Sequence, residues 1–190
     1  MVDKLDHRSY SRNCNYSEIR RQWRCVLDGT NFVTKLDLFR FLPFRLNRLA
    51  AEVSSELSGE YRERSGLDIP QWRVIATLGF GDEACTAQYI SHCTRTHKST
   101  ISRAVSQLLK RRLIERVENK IDRREFALRL TAKGRVLYRH LIPRLLRKER
   151  AILSSLSREE RNLLRGVLGK LEKSLDLAQT LKEAGARGGY

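Results

Sequence analysis

Residues 96–134 read THKSTISRAVSQLLKRRLIERVENKIDRREFALRLTAKG, and the order of patterns within them decides the fold. Ile101, Ala104, Val105, Leu108 and Leu109 recur at intervals of three and four, the spacing of one helix face. Lys98, Ser99, Thr100, Ser102, Arg103, Ser106, Gln107 and Lys110 fall on the rest of that helix, so its outer side is polar and cationic. Phe126, Leu128 and Leu130 then alternate with Ala127, Arg129 and Thr131, the period of a half-buried strand, and residues 113–117 (LIERV) offer it a partner. Between the two strands lies Asp122-Arg123-Arg124. A basic helix followed by a basic hairpin predicts a winged helix-turn-helix, with the helix for the major groove of DNA and the wing for the backbone or minor groove.

Asp122, Arg124, Leu128, Leu130, Thr131 and Gly134 fill the pattern Asp-x-Arg-x-x-x-Leu-x-Leu-Thr-x-x-Gly, and in this the chain resembles the MarR family of bacterial transcriptional regulators. Residues 67–75 (LDIPQWRVI) resemble that family's second helix, and residues 99–103 (STISR) its recognition helix. The similarity spans residues 36–181. It implies a regulator, expected to be a repressor, whose hold on its operator changes when a small molecule binds between the dimer helices and the winged helix. It also implies that Arg124 enters the minor groove at the wing tip, with Asp122 holding it in place.

Composition agrees with a nucleic-acid partner. The 190 residues are 41% hydrophobic, enough for a real core, yet carry a formal charge of +16. Such an excess costs self-repulsion in the free protein, and a polyanion relieves it. Residues 95–124 hold Arg95, Lys98, Arg103, Lys110, Arg111, Arg112, Arg116, Lys120, Arg123 and Arg124 against Glu115, Glu118 and Asp122. Most of these cations suit phosphates, which give affinity without sequence information. Base readout is assigned to Ser99, Thr100, Ser102 and Arg103, the last being the best donor pair for a guanine edge. His97, Lys98, Gln107, Lys120, Asp122, Arg123 and Arg124 complete the expected DNA interface.

Other classes are disfavoured by what the chain lacks. No apolar run approaches about 18 residues and no signal peptide opens the chain, so a cytoplasmic protein without membrane contact is expected. No phosphate loop, HExxH motif, nucleophile elbow or plausible triad can be placed, so an enzyme is not expected, nor a cofactor. A non-specific architectural DNA- or RNA-binding protein is the rival that shares the same basic surface. The cysteines at 14, 25, 85 and 93 form no CxxC pair and match no zinc spacing, so free thiols are expected and no metal. Some relatives in the resembled family sense oxidants through a cysteine near the start of the first long helix. Cys25 is the nearest candidate for a thiol-based sensor, outside the span of the resemblance.

Taken in order, residues 1–33 form a basic extension expected to be largely flexible, with a short helix over residues 17–27. A long helix is expected from residue 36, carrying Leu38, Leu42, Leu46, Leu49, Val53, Leu57 and Tyr61, with Pro43 kinking it or marking a late start. Arg40, Arg45 and Arg48 cluster there with Phe41 and Phe44. They are either solvated or the mouth of a site for an anionic aromatic ligand, an aromatic acid or its coenzyme A thioester. Trp72 is either a wall of that site or a packed core residue. Gly66 ends the helix, and Asp68 with Gln71 caps the next, which Gly79 and Gly81 should end. Thr86 caps a short helix leading through a turn into the recognition helix. Thr131 caps a helix interrupted by Pro143, and Ser157 with Glu160 caps a last one bearing Leu164, Val167, Leu168, Leu171 and Leu175. The expectation is a mainly α fold with a small antiparallel β wing: a winged helix-turn-helix over residues 67–131, a helical dimerisation domain over 34–66 and 132–182, and a flexible tail at 183–190. The surplus apolar helix faces call for a homodimer on a pseudo-palindromic operator.

Overall fold

The computed structural model describes residues 36–81, 84–118 and 126–177. The chain divides into two compact units, Met1–Phe41 and Leu42–Tyr190. The expectations for residues 1–33, for the wing tip and for the tail at 183–190 lie outside the described residues.

Residues 36–41 form a turn rather than the expected first helical turns. The Asp37 carboxylate accepts from the backbone N–H of Phe39 and Arg40, and its carbonyl from Arg40 and Phe41, so a local turn takes the donors a helix would have used. Helix α1 (Leu42–Ser65) starts late, with Pro43 in its first turn, where a missing N–H costs nothing. Gly66, at φ 58°, ends it. A reciprocal cap follows: the Gln71 backbone N–H donates to Asp68 Oδ1 (2.8 Å) and the Asp68 N–H to Gln71 Oε1 (3.1 Å).

Helix α2 (Ile69–Gly81) runs through Gly79, expected to stop it, and has Gly81 as its last residue. Gly79 is there because α2 crosses close to a later helix: a Cβ at this position would sit 2.7 Å from the Tyr138 ring. The two-residue strand β1 (Cys85–Thr86) follows, then α3 (Ala87–Cys93), α4 (Lys98–Lys110), β2 (Ile114–Glu118) and β3 (Phe126–Leu130). The sheet is antiparallel in the order β1-β3-β2, with Cys85 opposite Leu128 and Glu115 opposite Arg129. As the central strand, β3 departs from simple alternation: Ala127, flanked by Thr86 and Val117, is buried, while Phe126 at its open end is exposed.

Helix α5 (Ala132–Ile152) is not interrupted by Pro143. Leu141 and Leu145, buried on either side of the proline, hold it together against a cost of about 3 kcal/mol. A 3-10 turn (Leu153–Ser155) leads to α6 (Arg158–Ser174), whose Ser157/Glu160 capping box is present as expected. One core gathers Tyr61, Leu67, Val74, Ile75, Leu78, Ile90, Ile101, Leu108, Ile114, Leu128, Leu130 and Leu141 from α1 to α5 and the sheet. Helix α6 adds no buried residue to it.

Candidate nucleic-acid interface

The helix-turn-helix is built by short-range hydrogen bonds. Thr86 caps α3 by accepting from the Tyr89 N–H. The turn that follows places Arg95 at φ 49°, and two hydroxyls close it: Thr94 Oγ1 donates to the Ile90 carbonyl and Ser91 Oγ to the Thr96 carbonyl, both at 2.7 Å. Arg73 reaches over from α2 to Thr96 Oγ1 at 2.8 Å. His97 caps α4, its Nδ1 accepting from the Ser99 backbone N–H at 3.3 Å with Ser99 Oγ 2.7 Å away. An accepting Nδ1 carries no proton, so the Ser99 hydroxyl donates to it as well. The first turn of α4 holds no acidic residue, which leaves the positive end of its dipole uncompensated.

Ile101, Ala104, Val105 and Leu108 are the buried face of α4. At 100° per residue, Ser99, Arg103, Ser106 and Lys110 form the line directly opposite. Ser102 borders that line on one side, and half-buried Thr100 with exposed Gln107 on the other, next to α2. Ser106 and Lys110 were not among the residues singled out from sequence for DNA contact. Their intervals of seven and eleven from Ser99 are the signal that finds them.

The cations divide into two groups. Lys98, Arg103 and Lys110 are exposed and make no hydrogen bond or ion pair among the described residues. Arg111 instead turns inward, its guanidinium donating to the Ser65 and Gly66 carbonyls at the end of α1. Arg129 pairs across the sheet with Glu115 at 2.7 Å, and the Arg116 guanidinium lies 5.5 Å from the centre of the Phe126 ring. Lys120, Asp122, Arg123 and Arg124 lie outside the described residues.

This geometry coincides with known proteins. The profile of the MarR family matches residues 65–125. The HTH-type transcriptional regulator PecS of Dickeya dadantii (strain 3937) is 27% identical over 168 residues, 87% of this chain and 97% of its own. In profile, sequence and fold the chain is similar to the MarR family. A MarR/EmrR family regulator from Acinetobacter sp. ADP1 superposes with a TM-score of 0.66 at 27% identity, over 75% of this chain and 99% of that one. CouR from Rhodococcus jostii RHA1, solved bound to p-coumaroyl-CoA, shares the fold with a TM-score of 0.61 at 18% identity, over 72% of this chain and 95% of its own.

In this chain the glycine that closes the wing motif has a steric reason. A Cβ on Gly134 would lie 2.0 Å from the Leu113 carbonyl oxygen, where α5 leaves the sheet. The motif threonine ties the same corner: Thr131 Oγ1 donates to the Arg112 carbonyl at 2.8 Å and accepts from the Gly134 N–H at 3.1 Å.

The residues considered for a ligand are distributed as follows. Arg40 and Phe41 belong to the first compact unit and are exposed. Phe44, Arg45 and Arg48 occupy the first turns of α1, with the Arg48 guanidinium 5.8 Å from the Phe44 ring centre. Trp72 is half-buried in a stack, 5.5 Å from Tyr61 on α1 and 6.3 Å from Tyr138 on α5. A separate open depression of about 660 Å³ lies between α4 and β2, lined by Ser106, Leu109, Arg112, Ile114, Glu115, Arg116 and Thr131. None of the six sequence-derived ligand residues lines it.

Burial, and then the neighbouring Cys93, pushes the Cys85 thiol up to about 12. A hydrogen bond with Cys93, together with burial, pushes the Tyr89 hydroxyl up to about 12. Among the described residues no group of three His, Cys, Asp or Glu side chains is arranged to hold a metal, and no helix is long and apolar enough to cross a membrane. Cys14 and Cys25 lie outside the described residues.

Proposed function

We propose that this MarR-family regulator acts as a homodimer that lays α4 of each subunit into successive major grooves of a pseudo-palindromic operator, as a repressor released by a small anionic ligand. The observation that carries the reading is the outer line of α4. Ser99, Arg103, Ser106 and Lys110 face solvent opposite a fully buried stripe, and the cations among them have no side-chain partner among the described residues. In this reading residues 67–131 bind DNA, with Lys98 and the wing residues Lys120, Arg123 and Arg124 on phosphates and groove. Residues 34–66 and 132–182 associate the two subunits. Support for association comes from α6, where Leu163, Leu164, Val167, Leu168 and Leu171 are 37–69% exposed in the single chain.

The experiment is a binding titration at fixed salt against DNA from the gene's own upstream region and against unrelated duplex. A regulator prefers its operator by roughly 10³-fold or more. Equal affinities establish the architectural alternative instead.

The effector reading rests on Phe44, Arg45 and Arg48. Arg45 and Arg48, three residues apart on one helix face, offer charge-assisted donors to an anion, and Phe44 supplies an aromatic face. That CouR was solved with p-coumaroyl-CoA supports including acyl-CoA thioesters beside aromatic acids in the screen. A ligand that favours the free dimer must weaken operator binding by the same factor. The screen combines calorimetry with operator binding, on wild type and on Arg45→Ala plus Arg48→Ala. If no anionic aromatic compound shifts operator binding, or the double variant binds the active compound equally well, the site is elsewhere.

A further inference from the structure

Gln71 is only 6% exposed, and a buried amide needs partners at both ends. The backbone assigns its ends. The Asp68 N–H, which can only donate, lies 3.1 Å from Oε1, so that end of the Gln71 amide is the oxygen. The amino end therefore points the other way, and it donates to the side chain of Gln107 on α4. A group that receives an N–H must be the acceptor, so the Gln107 amide is oriented too. Its oxygen turns to α2, and its amino group is left for the exposed side of the recognition helix. Polarity thus passes from one backbone N–H at the α2 cap, through two amides 36 residues apart in sequence, to the surface of α4.

A glutamine with both amide ends available pairs with adenine, accepting from N6 and donating to N7. Gln107 has its accepting half turned to α2. We propose that Gln71 is a positioning residue that makes Gln107 a donor-only reader of the major groove. Such a reader favours guanine, whose edge offers the O6 and N7 acceptors, and next thymine, which offers O4, over adenine, whose N7 lies beside an amino group, and cytosine, whose edge is an amino group. The inference rests on the operator-reading role of α4 proposed above.

The test is site selection from a randomised duplex library with the full-length protein, followed by titrations of single-base variants of the selected site. Wild type is expected to prefer guanine, then thymine, at one position per half-site, and Gln107→Ala to relax that position and no other. Gln71→Glu keeps an oxygen for the Asp68 N–H and turns a second oxygen to Gln107. The Gln107 amide then rotates, presents its own oxygen, and replaces guanine by adenine or cytosine at that position, a shift of roughly tenfold in relative affinity. Gln71→Met, of similar volume and uncharged, frees Gln107 to turn and lets adenine rival guanine; it carries the test if the buried carboxylate prevents folding, as thermal melting shows. In a Gln107→Ala background neither change at Gln71 alters any preference. A selected operator whose preferences are the same in wild type and Gln71→Met, or one untouched by Gln107→Ala, overturns the inference. Failure to select any sequence overturns the operator-reading role itself.

Discussion

Helices α4 and α6 carry similar apolar stripes and meet different fates. In α4, Ile101, Ala104, Val105 and Leu108 are all buried, none more than 7% exposed. In α6, Leu164, Val167, Leu168 and Leu171 stand 37–52% exposed, and no residue of the helix is buried. The capping box shows that α6 is specified as firmly as any helix here. What differs is the partner. The stripe of α4 is closed by α2, α3 and the sheet of its own chain, whereas that of α6, like Leu42, Leu46 and Leu49 at the start of α1, is exposed. Periodicity therefore marks an apolar face without saying what, if anything, covers it.

The strongest way to break this comparison is to charge the open face. Leu168→Asp or Leu171→Asp leaves the single chain's core untouched, so helicity by circular dichroism should persist. If a second subunit covers the stripe, the buried carboxylate costs about 3–5 kcal/mol of association, and operator binding falls with it. Sedimentation equilibrium decides. A monomeric wild type at micromolar concentration, or variants that remain dimers, refutes the placement.

The closed region should respond in the opposite way, through folding. Gly134→Ala drives a methyl to 2.0 Å from the Leu113 carbonyl, which is backbone and has little room to move. A loss of roughly 3 kcal/mol in denaturant unfolding is expected, the upper end of overpacking. An unchanged midpoint shows that the corner between sheet and α5 is looser than described.

Two arginines sharpen the contrast within the recognition unit. Arg103 is exposed and without a partner among the described residues, so Arg103→Ala should cost roughly 1–3 kcal/mol of operator affinity and leave melting unchanged. Arg111, eight positions on, holds the carbonyls of Ser65 and Gly66, so Arg111→Ala should cost about 1–2 kcal/mol of stability. Reversed effects, measured by operator titration beside thermal melting, would exchange their roles.

How much of this was legible follows from the range of each signal. Caps at Asp68/Gln71, Thr86, Thr131 and Ser157/Glu160 are local, and sequence read them correctly, as it did the α4 face; at Pro43 it left a kink and a late start open, and the helix starts late. Strand β1 has two residues and exists only through its register with Cys85 opposite Leu128, so no periodicity could announce it. Gly79 looked like a helix stop because its reason, the Tyr138 ring, lies on another helix. The Gln71–Gln107 pair is likewise invisible, since nothing near either residue in sequence refers to the other. The exposed polar side of α4 was legible in the sequence; the hydrogen bond that ties Gln107 to α2 was not.

Cys85 offers the smallest expected effect and the gentlest probe of closure. It sits in β1 against the core, 8% exposed, and its thiol is pushed from an ordinary 9.0 up to about 12, chiefly by burial. A raised value means the folded state favours the neutral thiol. The corresponding stability is fully present below about 9 and is lost as pH rises toward about 12. Between pH 7 and 8 the thiolate is a negligible fraction, so alkylation should leave Cys85 unmodified while half-buried Cys93 reacts first. Peptide mapping after timed exposure to iodoacetamide, with a denatured control, reads both sites. Labelling of Cys85 at a rate comparable to Cys93 under native conditions would mean that the sheet opens readily, and the contrast between a closed winged helix and an open helical face would lose its closed side.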